Sequence, residues 1–346
     1  MCIRDRYKDS ISDWSVVINI LNHGQYGVHL FFVISGFILA LPFAFSYIKN
    51  DKKIDIKNYY IRRLTRLEPP YIISLLLLFV ILRALREYPI HVLLPHLLAS
   101  LTYTHNLIYP GTLPLISPVA WSLEVEVQFY ILAPFFSLVF KMPYITRRIL
   151  IISISLLFIL IQAYLKTPFR SLFDYIQYFA VGFLLADLYV SGHQCKLYKP
   201  VAKVLCLFSF ILIWAYFTGK NSEPLIIILW HGTLLISIFA FYYFILFSDF
   251  WKAFFTNKII TSLGGMCYSI YLLHWAVISL VGALIVKNWS FSNYYWIDFI
   301  IYSCILSVLF IAISTTFYKL VEQPFMKKNW HLDLFNHFRI LLRHIK

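Results

Sequence analysis

The sequence predicts an all-α protein, a polytopic bundle of transmembrane helices. Of its 346 residues, 60% are hydrophobic and only 13% are charged, a balance far from the averages of soluble domains. Apolar runs of about 18 to 25 residues, the length that a spanning helix requires, recur along the whole chain. These runs leave no room for a sizeable soluble domain.

The predicted spans number about nine. They lie near residues 27–47, 69–85, 119–140, 148–165, 172–190, 200–217, 224–247, 263–286 and 296–318. We divide the chain into an N-terminal segment with an outer loop (1–26), one integral membrane domain (27–325) and a basic tail (326–346).

The net charge of +14 follows from membrane topology. The segments after the first, third, fifth, seventh and ninth spans, with the span ends they overlap, hold 21 Lys and Arg, whereas the other inter-helix segments hold 6. Because basic loops stay on the cytoplasmic side, we expect an inner-membrane protein with a cytoplasmic C-terminus. This distribution argues against nucleic acid as a partner.

The same alternation places the start of the first predicted span on the outer side, so another helix is expected before it. Residues 1–26 hold only a short apolar patch, Trp14 to Leu21, which is too short to span. We therefore expect a truncated chain with a non-native start. The five cysteines have no paired spacing, so neither a disulfide framework nor a metal site is indicated.

The first span opens with Gly27-Val28-His29-Leu30-Phe31-Phe32-Val33-Ile34-Ser35-Gly36-Phe37. Gly27 and Gly36 allow a neighbouring helix to approach closely, and Ser35 can bond back to its own backbone. His29 lies at the outer end, where it serves either the headgroup region or an acceptor site.

The densest positive charge lies in Arg62-Arg63-Leu64-Thr65-Arg66-Leu67-Glu68-Pro69-Pro70-Tyr71. On a helix Arg63 and Arg66 share a face and Arg62 lies one turn before Arg66, so three guanidinium groups can converge on one anion. Because Glu68 precedes proline, we expect a helix boundary there and a new helix starting at the prolines. Its N-terminus would favour a phosphate beside the arginines; the alternative is plain positive-inside anchoring.

The largest outer segment, about 86–118, contains His91, His96 and His105. A zinc site is conceivable with these imidazoles, but no Asp or Glu lies near them beyond Glu87. We favour a lid or an acceptor-binding surface.

The third span begins Trp121-Ser122-Leu123-Glu124-Val125-Glu126-Val127-Gln128-Phe129-Tyr130. Ionisable groups inside a span are costly and indicate function by default. Glu124 and Glu126 are about 200° apart on a helix, so they cannot both face one cavity. Ser122, Glu126 and Tyr130 do share a face, which makes Glu126 either the functional carboxylate or a structural partner. We expect Glu124 to be solvated near the headgroups.

The remaining spans carry one further pattern. Gly264, Cys267, Tyr271 and His274 form a small and polar stripe at helical spacing. A neutral His274 imidazole near mid-membrane could accept a proton from a hydroxyl, or could make a structural hydrogen bond. Asp174, Asp187 and His231 each stand alone, and Gly182 allows close packing.

Taken together, these strings resemble the acyltransferase type 3 family of membrane-bound acyltransferases. The family pattern includes a glycine–aromatic–serine–glycine string, with an acidic or amide residue where this chain has His29. It also includes paired arginines before proline and tyrosine, Trp-Ser-Leu followed by Glu, Phe-Tyr and Pro, and Ser-Tyr followed by Tyr-Leu and His, where Cys267 replaces the serine. A Val321-Glu322-Gln323-Pro324-Phe325 ending is also similar to the family.

The resemblance implies a ten-helix enzyme that takes an acyl group, commonly acetyl, from cytoplasmic acyl-CoA. The group passes to a hydroxyl of a carbohydrate or similar acceptor, and no cofactor is permanently bound. The histidine and arginine usually credited with proton abstraction belong to a first helix that we expect to be missing here. The alternatives are a transporter or flippase of an anionic glycan or lipid precursor, and an inactive truncated homologue.

The expected roles follow from these matches. Glu126 and His274 are assigned to catalysis, Arg62, Arg63 and Arg66 to the acyl-CoA phosphates, His29, Trp121, Ser122 and Tyr130 to the acceptor side, and Cys267 and Tyr271 to support.

Overall fold

The computed structural model describes residues 24, 26–85, 88–165, 167–215, 223–289, 291–292 and 295–326. These residues form helices and connecting segments without a β-strand, which confirms the all-α prediction. Most of the predicted N-terminal segment (1–26) and nearly all of the basic tail (326–346) lie outside the described residues. The helices are α1 (Tyr26–Ile48), α2 (Ile56–Ala84), α3 (Ile90–Leu101), α4 (His105–Ile108), α5 (Ala120–Phe136), α6 (Tyr144–Tyr164), α7 (Ile176–Val190), α8 (Lys199–Ala215), α9 (Pro224–Phe247), α10 (Asp249–Phe255), α11 (Lys258–Gly265), α12 (Cys267–Ala276), α13 (Gly282–Asn288), α14 (Tyr295–Phe317) and α15 (Gln323–Phe325).

Each predicted span coincides with a helix. Within the described residues, seven helical segments are long and apolar enough to cross a membrane. Some of them are extended by other helical turns: Ser137–Lys141 continues α5, and π-helical turns join α12 to α13 and α14 to α15. The predicted spans at 172–190 and 200–217 correspond to the shorter α7 and α8, of 15 and 17 residues.

The tightest helix packing is the crossing of α1 and α7. A Cβ atom added to Gly36 would lie 2.4 Å from the carbonyl oxygen of Phe179, and one added to Gly182 would lie 2.4 Å from that of Val33. The two backbones therefore touch, as small-residue helix interfaces in membranes allow. Close packing at Gly36 and Gly182 matches the prediction. Among the residues that the structure describes, nothing lies within 4 Å of a Cβ added to Gly27, so they give this glycine no packing role.

The predicted helix start at Pro69 and Pro70 is wrong. Helix α2 begins at Ile56, where the Asp55 side chain accepts hydrogen bonds from the backbone N–H groups of Lys57 and Asn58, and continues through both prolines to Ala84. Proline in a helix removes the N–H that would bond to the carbonyl four residues earlier, which affects the carbonyls of Thr65 and Arg66. The next carbonyl, that of Leu67, receives a hydrogen bond of 2.9 Å from the Tyr268 hydroxyl. The arginines therefore lie along a helix rather than at its N-terminus.

Contacts between connecting segments group them at the two ends of the bundle. At one end, Lys141 lies 5.1 Å from the centre of the Tyr47 ring. Asp187, predicted to stand alone, is fully buried there and pairs with Arg147 and with Arg148, whose Nε lies 2.5 Å from Oδ2. We name this end, which also carries Arg63 and Arg66, the basic end, and the opposite end, which carries α3 and α4, the far end.

Candidate active site

The centre of the site is the Glu126 carboxylate on α5. The hydroxyl groups of Ser35 on α1 and Tyr130 on α5 both donate hydrogen bonds to its Oε1 atom. Glu126 lies deep within the protein, yet its side chain keeps accessible surface. The carboxylate is therefore held inside the helix bundle without being fully enclosed.

Ser35 is positioned by the α1–α7 crossing. Its neighbour Gly36 contacts the α7 backbone, so the distance between α1 and α7 is fixed. The Ser35 side chain, one residue earlier on α1, points toward α5. The Ser35 hydroxyl bonds to a carboxylate 91 residues away. The sequence predicts that Ser35 can bond back to its own backbone; in the structure its hydroxyl bonds to Glu126 instead.

Two of the predicted arginines face this carboxylate. Arg63 and Arg66 are half-buried and lie within electrostatic range of Glu126, whereas Arg62 is exposed. The Arg63 guanidinium also lies 5.8 Å from the centre of the Tyr130 ring, a cation–π geometry. Arg62 stays a predicted donor-site residue on the outer face of the same helix.

Tyrosine hydroxyls fasten the arginine helix to its neighbours. Tyr59 and Tyr60, on the turn before Arg63, donate to the backbone carbonyls of Tyr130 and Ile131 on α5, at 3.2 and 2.8 Å. On the other side, Tyr268 donates to the carbonyl of Leu67. These contacts hold α2 between α5 and α12.

The predicted supporting residues lie on α12, and Glu322 holds the start of this helix. The Glu322 carboxylate is fully buried and accepts hydrogen bonds from the backbone N–H of Ser269, at 3.1 Å, and from its hydroxyl, at 2.5 Å. It thereby caps free N–H groups of the first turn. Arg66 lies within electrostatic range of both Glu322 and Cys267, so a helix N-terminus does lie beside an arginine, but it belongs to α12.

Tyr271 joins α12 to the first turn of α5. Its hydroxyl shares a hydrogen bond with that of Ser122 and donates to the carbonyl of Val119 at 2.9 Å. His274, one turn further, places Nδ1 at 2.7 Å from the carbonyl oxygen of Tyr271. A carbonyl only accepts, so Nδ1 carries the proton and Nε2 keeps a lone pair that can accept one.

Glu124 has a structural role at the far end. It is buried, and its carboxylate accepts hydrogen bonds from the backbone N–H groups of His105 and Asn106, at 3.1 and 2.8 Å. The expectation of a solvated Glu124 is therefore wrong. The prediction that Glu124 and Glu126 cannot face one cavity is confirmed. The Glu124 carboxylate binds the backbone of α4, whereas the Glu126 carboxylate faces Ser35.

The outer segment is organised around a pair of imidazoles. Nδ1 of His96 lies 2.8 Å from Nε2 of His105, and the Tyr109 ring stacks on His96 at 4.0 Å. Burial, with a smaller contribution from His96, lowers the pKa of His105 to about 4. The pair is neutral at physiological pH, and the described residues contain no group of three His, Cys, Asp or Glu that could hold a metal ion.

The remaining acceptor-side residues lie above Glu126, toward the far end. The His29 ring lies 5.7 Å from that of Tyr175, and Trp121 lies 5.4 Å from the same ring. The structure thus brings His29 and Trp121 together around Tyr175, whereas Ser122 bonds to Tyr271 and Tyr130 bonds to Glu126.

Several site residues carried little sequence signal. Tyr268 and Ser269 are neighbours in a sequence rich in aromatic residues, and their partners lie on other helices. Glu322 stands in a string that resembles the family ending, which was the one signal pointing to it. From the sequence alone, a glutamate at a helix end near several basic residues could equally be exposed to solvent. Only the fold shows that Glu322 is buried.

The fold and the site define a polytopic membrane protein with a buried carboxylate between its two ends, flanked by arginines on one side. The acyltransferase domain family model matches residues 5–319. The chain therefore belongs to the acyltransferase type 3 family, as its motifs indicated.

Curated relatives are similar over most of this chain. "Putative O-acetyltransferase SACOL0978" of Staphylococcus aureus (strain COL) is 28% identical, covering 90% of this chain and 55% of that protein. "Peptidoglycan O-acetyltransferase OatA" of Listeria monocytogenes is 27% identical, covering 74% of this chain and 45% of that protein. The chain thus spans about half the length of the curated relatives it matches, and no solved structure matches it significantly.

Proposed function

We propose that this chain transfers an acetyl group from acetyl-CoA, bound at the basic end, to a hydroxyl of a cell-envelope carbohydrate that enters from the far end. The observation that carries the proposal is the Glu126 carboxylate, which lies within the helix bundle, is oriented by Ser35 and lies in the field of Arg63 and Arg66. Membership of an acyltransferase family and the O-acetyltransferase names of two relatives support the reaction class.

The basic end suits the donor. Coenzyme A carries several phosphate charges, and arginine holds phosphate through planar, charge-assisted hydrogen bonds. Arg63 and Arg66 lie half-buried on one face of α2. We assign the donor phosphates to this face, with Arg62 at its exposed edge.

The chemistry requires a base and a site for negative charge. The acceptor hydroxyl oxygen attacks the thioester carbonyl carbon, its proton passes to the base, and the tetrahedral oxyanion collapses as the carbon–sulfur bond breaks and the thiolate leaves. Glu126 and Nε2 of His274 are the two proton acceptors that the helices direct inward. The hydroxyl groups of Tyr268 and Tyr271 can donate to the oxyanion only by giving up their hydrogen bonds to the carbonyls of Leu67 and Val119.

The orientation follows from the charge distribution. The basic end carries most of the Lys and Arg in the connecting segments, so by the positive-inside bias we assign it, and with it the C-terminus, to the cytoplasmic side of the inner membrane. Single cysteines introduced at positions 52 and 111, in an otherwise cysteine-free chain, test this orientation. A membrane-impermeant maleimide should label position 111 alone in intact cells; labelling of position 52 alone would reverse the topology.

The function is tested with the full chain in proteoliposomes, supplied with radiolabelled acetyl-CoA and cell-wall glycan. Glu126→Gln should reduce transfer at least about 100-fold, the usual contribution of general base catalysis. Arg63→Gln with Arg66→Gln should raise the KM for acetyl-CoA, because uniform binding is lost. Glu223→Gln and Arg83→Gln, at exposed positions remote from the site, are the matched controls.

The same proteoliposomes distinguish acyl transfer from the alternative function, transport of a glycan precursor. If the wild-type chain moves a labelled glycan precursor across the membrane without acetylating it, acyl transfer is the wrong function. If E126Q retains full acetyl transfer, Glu126 is not the base.

A further inference from the structure

A cavity of about 580 Å³ lies at the far end, above Glu126. Its volume is in the range of small-molecule sites. Its walls are formed by the first turn of α1, the connection 167–175, the first two turns of α9, the C-terminal end of α6 (Gln162 and the following Leu165) and Gly111. Its lining includes Tyr26, His29, Arg170, Tyr175, Trp230 and His231.

Aromatic rings form much of the wall. The Tyr26 and Trp230 rings lie 5.3 Å apart and join α1 to α9, and His29 contacts Tyr175 from the connection. Aromatic side chains offer an apolar face together with a polar edge. Such a surface accommodates a sugar ring, which has apolar faces and polar edges.

Arg170 provides the positive charge of this cavity, whose lining also includes the Asp174 carboxylate. Arg170 is exposed, and its guanidinium lies 5.0 Å from the centre of the Trp121 ring, a cation–π distance. Among the described residues, no carboxylate lies within 4.0 Å of it as an ion-pair partner. The nearby Asp174 carboxylate accepts hydrogen bonds from the Thr167 hydroxyl, at 2.6 Å, and from the backbone N–H of Ser171, at 2.9 Å. The N–H groups of the Arg170 guanidinium therefore remain available to bind an anion.

The cavity leads toward the candidate active site. His29 is six residues before Ser35 on α1, and Trp121 is five residues before Glu126 on α5. At 1.5 Å per residue, these separations correspond to about 9 and 7.5 Å along the helix axes. Along the helix axes, His29 and Trp121 thus lie less than two turns from Ser35 and Glu126.

We propose that this cavity binds the acceptor, and that Arg170 selects acceptors with an anionic group, a carboxylate or a phosphate, attached to the sugar. The inference rests on the proposed function, which directs the acceptor hydroxyl to Glu126. It adds a substrate class and an anchoring residue. The contact with Trp121 keeps the guanidinium at this wall, and a guanidinium can bind a carboxylate or a phosphate through two parallel hydrogen bonds.

Binding of three sugars to the purified full chain in nanodiscs, without acetyl-CoA, tests the inference. The probes are N-acetylmuramic acid, N-acetylglucosamine 1-phosphate and neutral N-acetylglucosamine, titrated by calorimetry. At least one anionic sugar should bind about tenfold more tightly than the neutral one. The anionic sugar that gains affinity identifies the group as carboxylate or phosphate.

Variants decide whether Arg170 is responsible. Arg170→Gln should abolish the preference for anionic sugars, and Arg170→Lys should restore it in part. Arg83→Gln, an equal charge change at an exposed position near the end of α2, should leave it unchanged. Equal affinity for all three sugars, or an intact preference in a folded R170Q protein with an unchanged melting temperature, overturns the inference.

Failure of the inference and failure of the proposed function are distinguishable. Acetyl transfer without any anion preference would reject the Arg170 assignment and keep the acyltransferase reaction. An anion preference that depends on Arg170, in a chain that transfers no acetyl group, would keep the cavity assignment and reject the reaction.

Discussion

The Ser35 hydroxyl on α1 donates a hydrogen bond to the Glu126 carboxylate on α5, across 91 residues of sequence. The two residues belong to separate motifs of the sequence, and this hydrogen bond is where the motifs meet. It fixes the direction in which the carboxylate presents its lone pairs, while Tyr130 holds the same oxygen from one turn below.

Replacement of Ser35 by alanine tests this relationship. A hydrogen bond to a charged group contributes about 1.5–3 kcal/mol, so S35A should lower kcat for acetyl transfer roughly tenfold to a hundredfold. The KM for acetyl-CoA should not change, because the arginines are unaffected. Ser46→Ala, which changes a buried serine on the same helix, serves as the control. In the E126Q background, S35A should not lower the rate of acetyl transfer further.

The α1–α7 crossing predicts a sharp difference between two glycines of one motif. Gly36→Ala places a methyl group 2.4 Å from a backbone oxygen, and overpacking of this kind costs about 1–3 kcal/mol. Gly27→Ala meets nothing within 4 Å and should be neutral or slightly stabilising. Scanning fluorimetry in detergent should show a lower melting temperature for G36A alone; equal values for both variants would argue against backbone contact.

The buried pairing at the basic end predicts a large effect for Asp187. Asp187→Asn leaves Arg147 and Arg148 without their shared carboxylate, and breaking a buried pair costs about 3–5 kcal/mol. Asp249, whose pairing with Lys199 is 3.9 Å long and almost fully exposed, provides the control. We expect D187N to lose melting temperature and D249N to behave as the wild type.

The imidazole pair predicts a pH-dependent stability. Burial and the neighbouring His96 hold the pKa of His105 at about 4, below its ordinary value of 6.5, so the unfolded chain binds a proton that the folded chain does not. The His105 contribution is therefore complete above pH 6.5 and falls by about 3 kcal/mol as the pH drops toward 4.

The measurement is the melting temperature between pH 7.5 and 4.5. In the His105→Gln variant, the melting temperature should depend less on pH than in the wild type. His91→Gln, which changes an exposed histidine of the same segment, should keep the full pH dependence of the wild type. The comparison isolates His105 from His96 and Glu124, which contact the same segment. Identical slopes in the two variants would contradict a buried, neutral His105.

Much of the fold could be predicted from the sequence because membrane helices are specified by local composition. Hydropathy located the helices, and small residues marked one crossing, at Gly36. The error at Pro69 and Pro70 has a physical origin. Local rules disfavour proline within a helix, but neighbouring helices can supply the lost hydrogen bonds in a membrane protein, and Tyr268 bonds to this region of the α2 backbone.

The candidate site was predictable only in part. Glu126 and Tyr130 share a helical face, so spacing alone joined them. The contacts of Ser35 with Glu126, Glu322 with Ser269 and Asp187 with two arginines link different helices, and no local pattern reports such pairings. Glu124 was misassigned because its partners are backbone groups, which any sequence would supply.

The contact between the Gly36 and Gly182 backbones also limits how this protein can be re-engineered. The distance between α1 and α7 is set by main-chain atoms, so no side-chain replacement can shorten it, and any larger residue pushes the helices apart. The first turn of α1 forms one wall of the acceptor cavity, so the position of that wall is fixed by the same contact. Variants with a new acceptor range should therefore carry their changes in the connection 167–175 and in the first turns of α9, where the wall consists of exchangeable side chains.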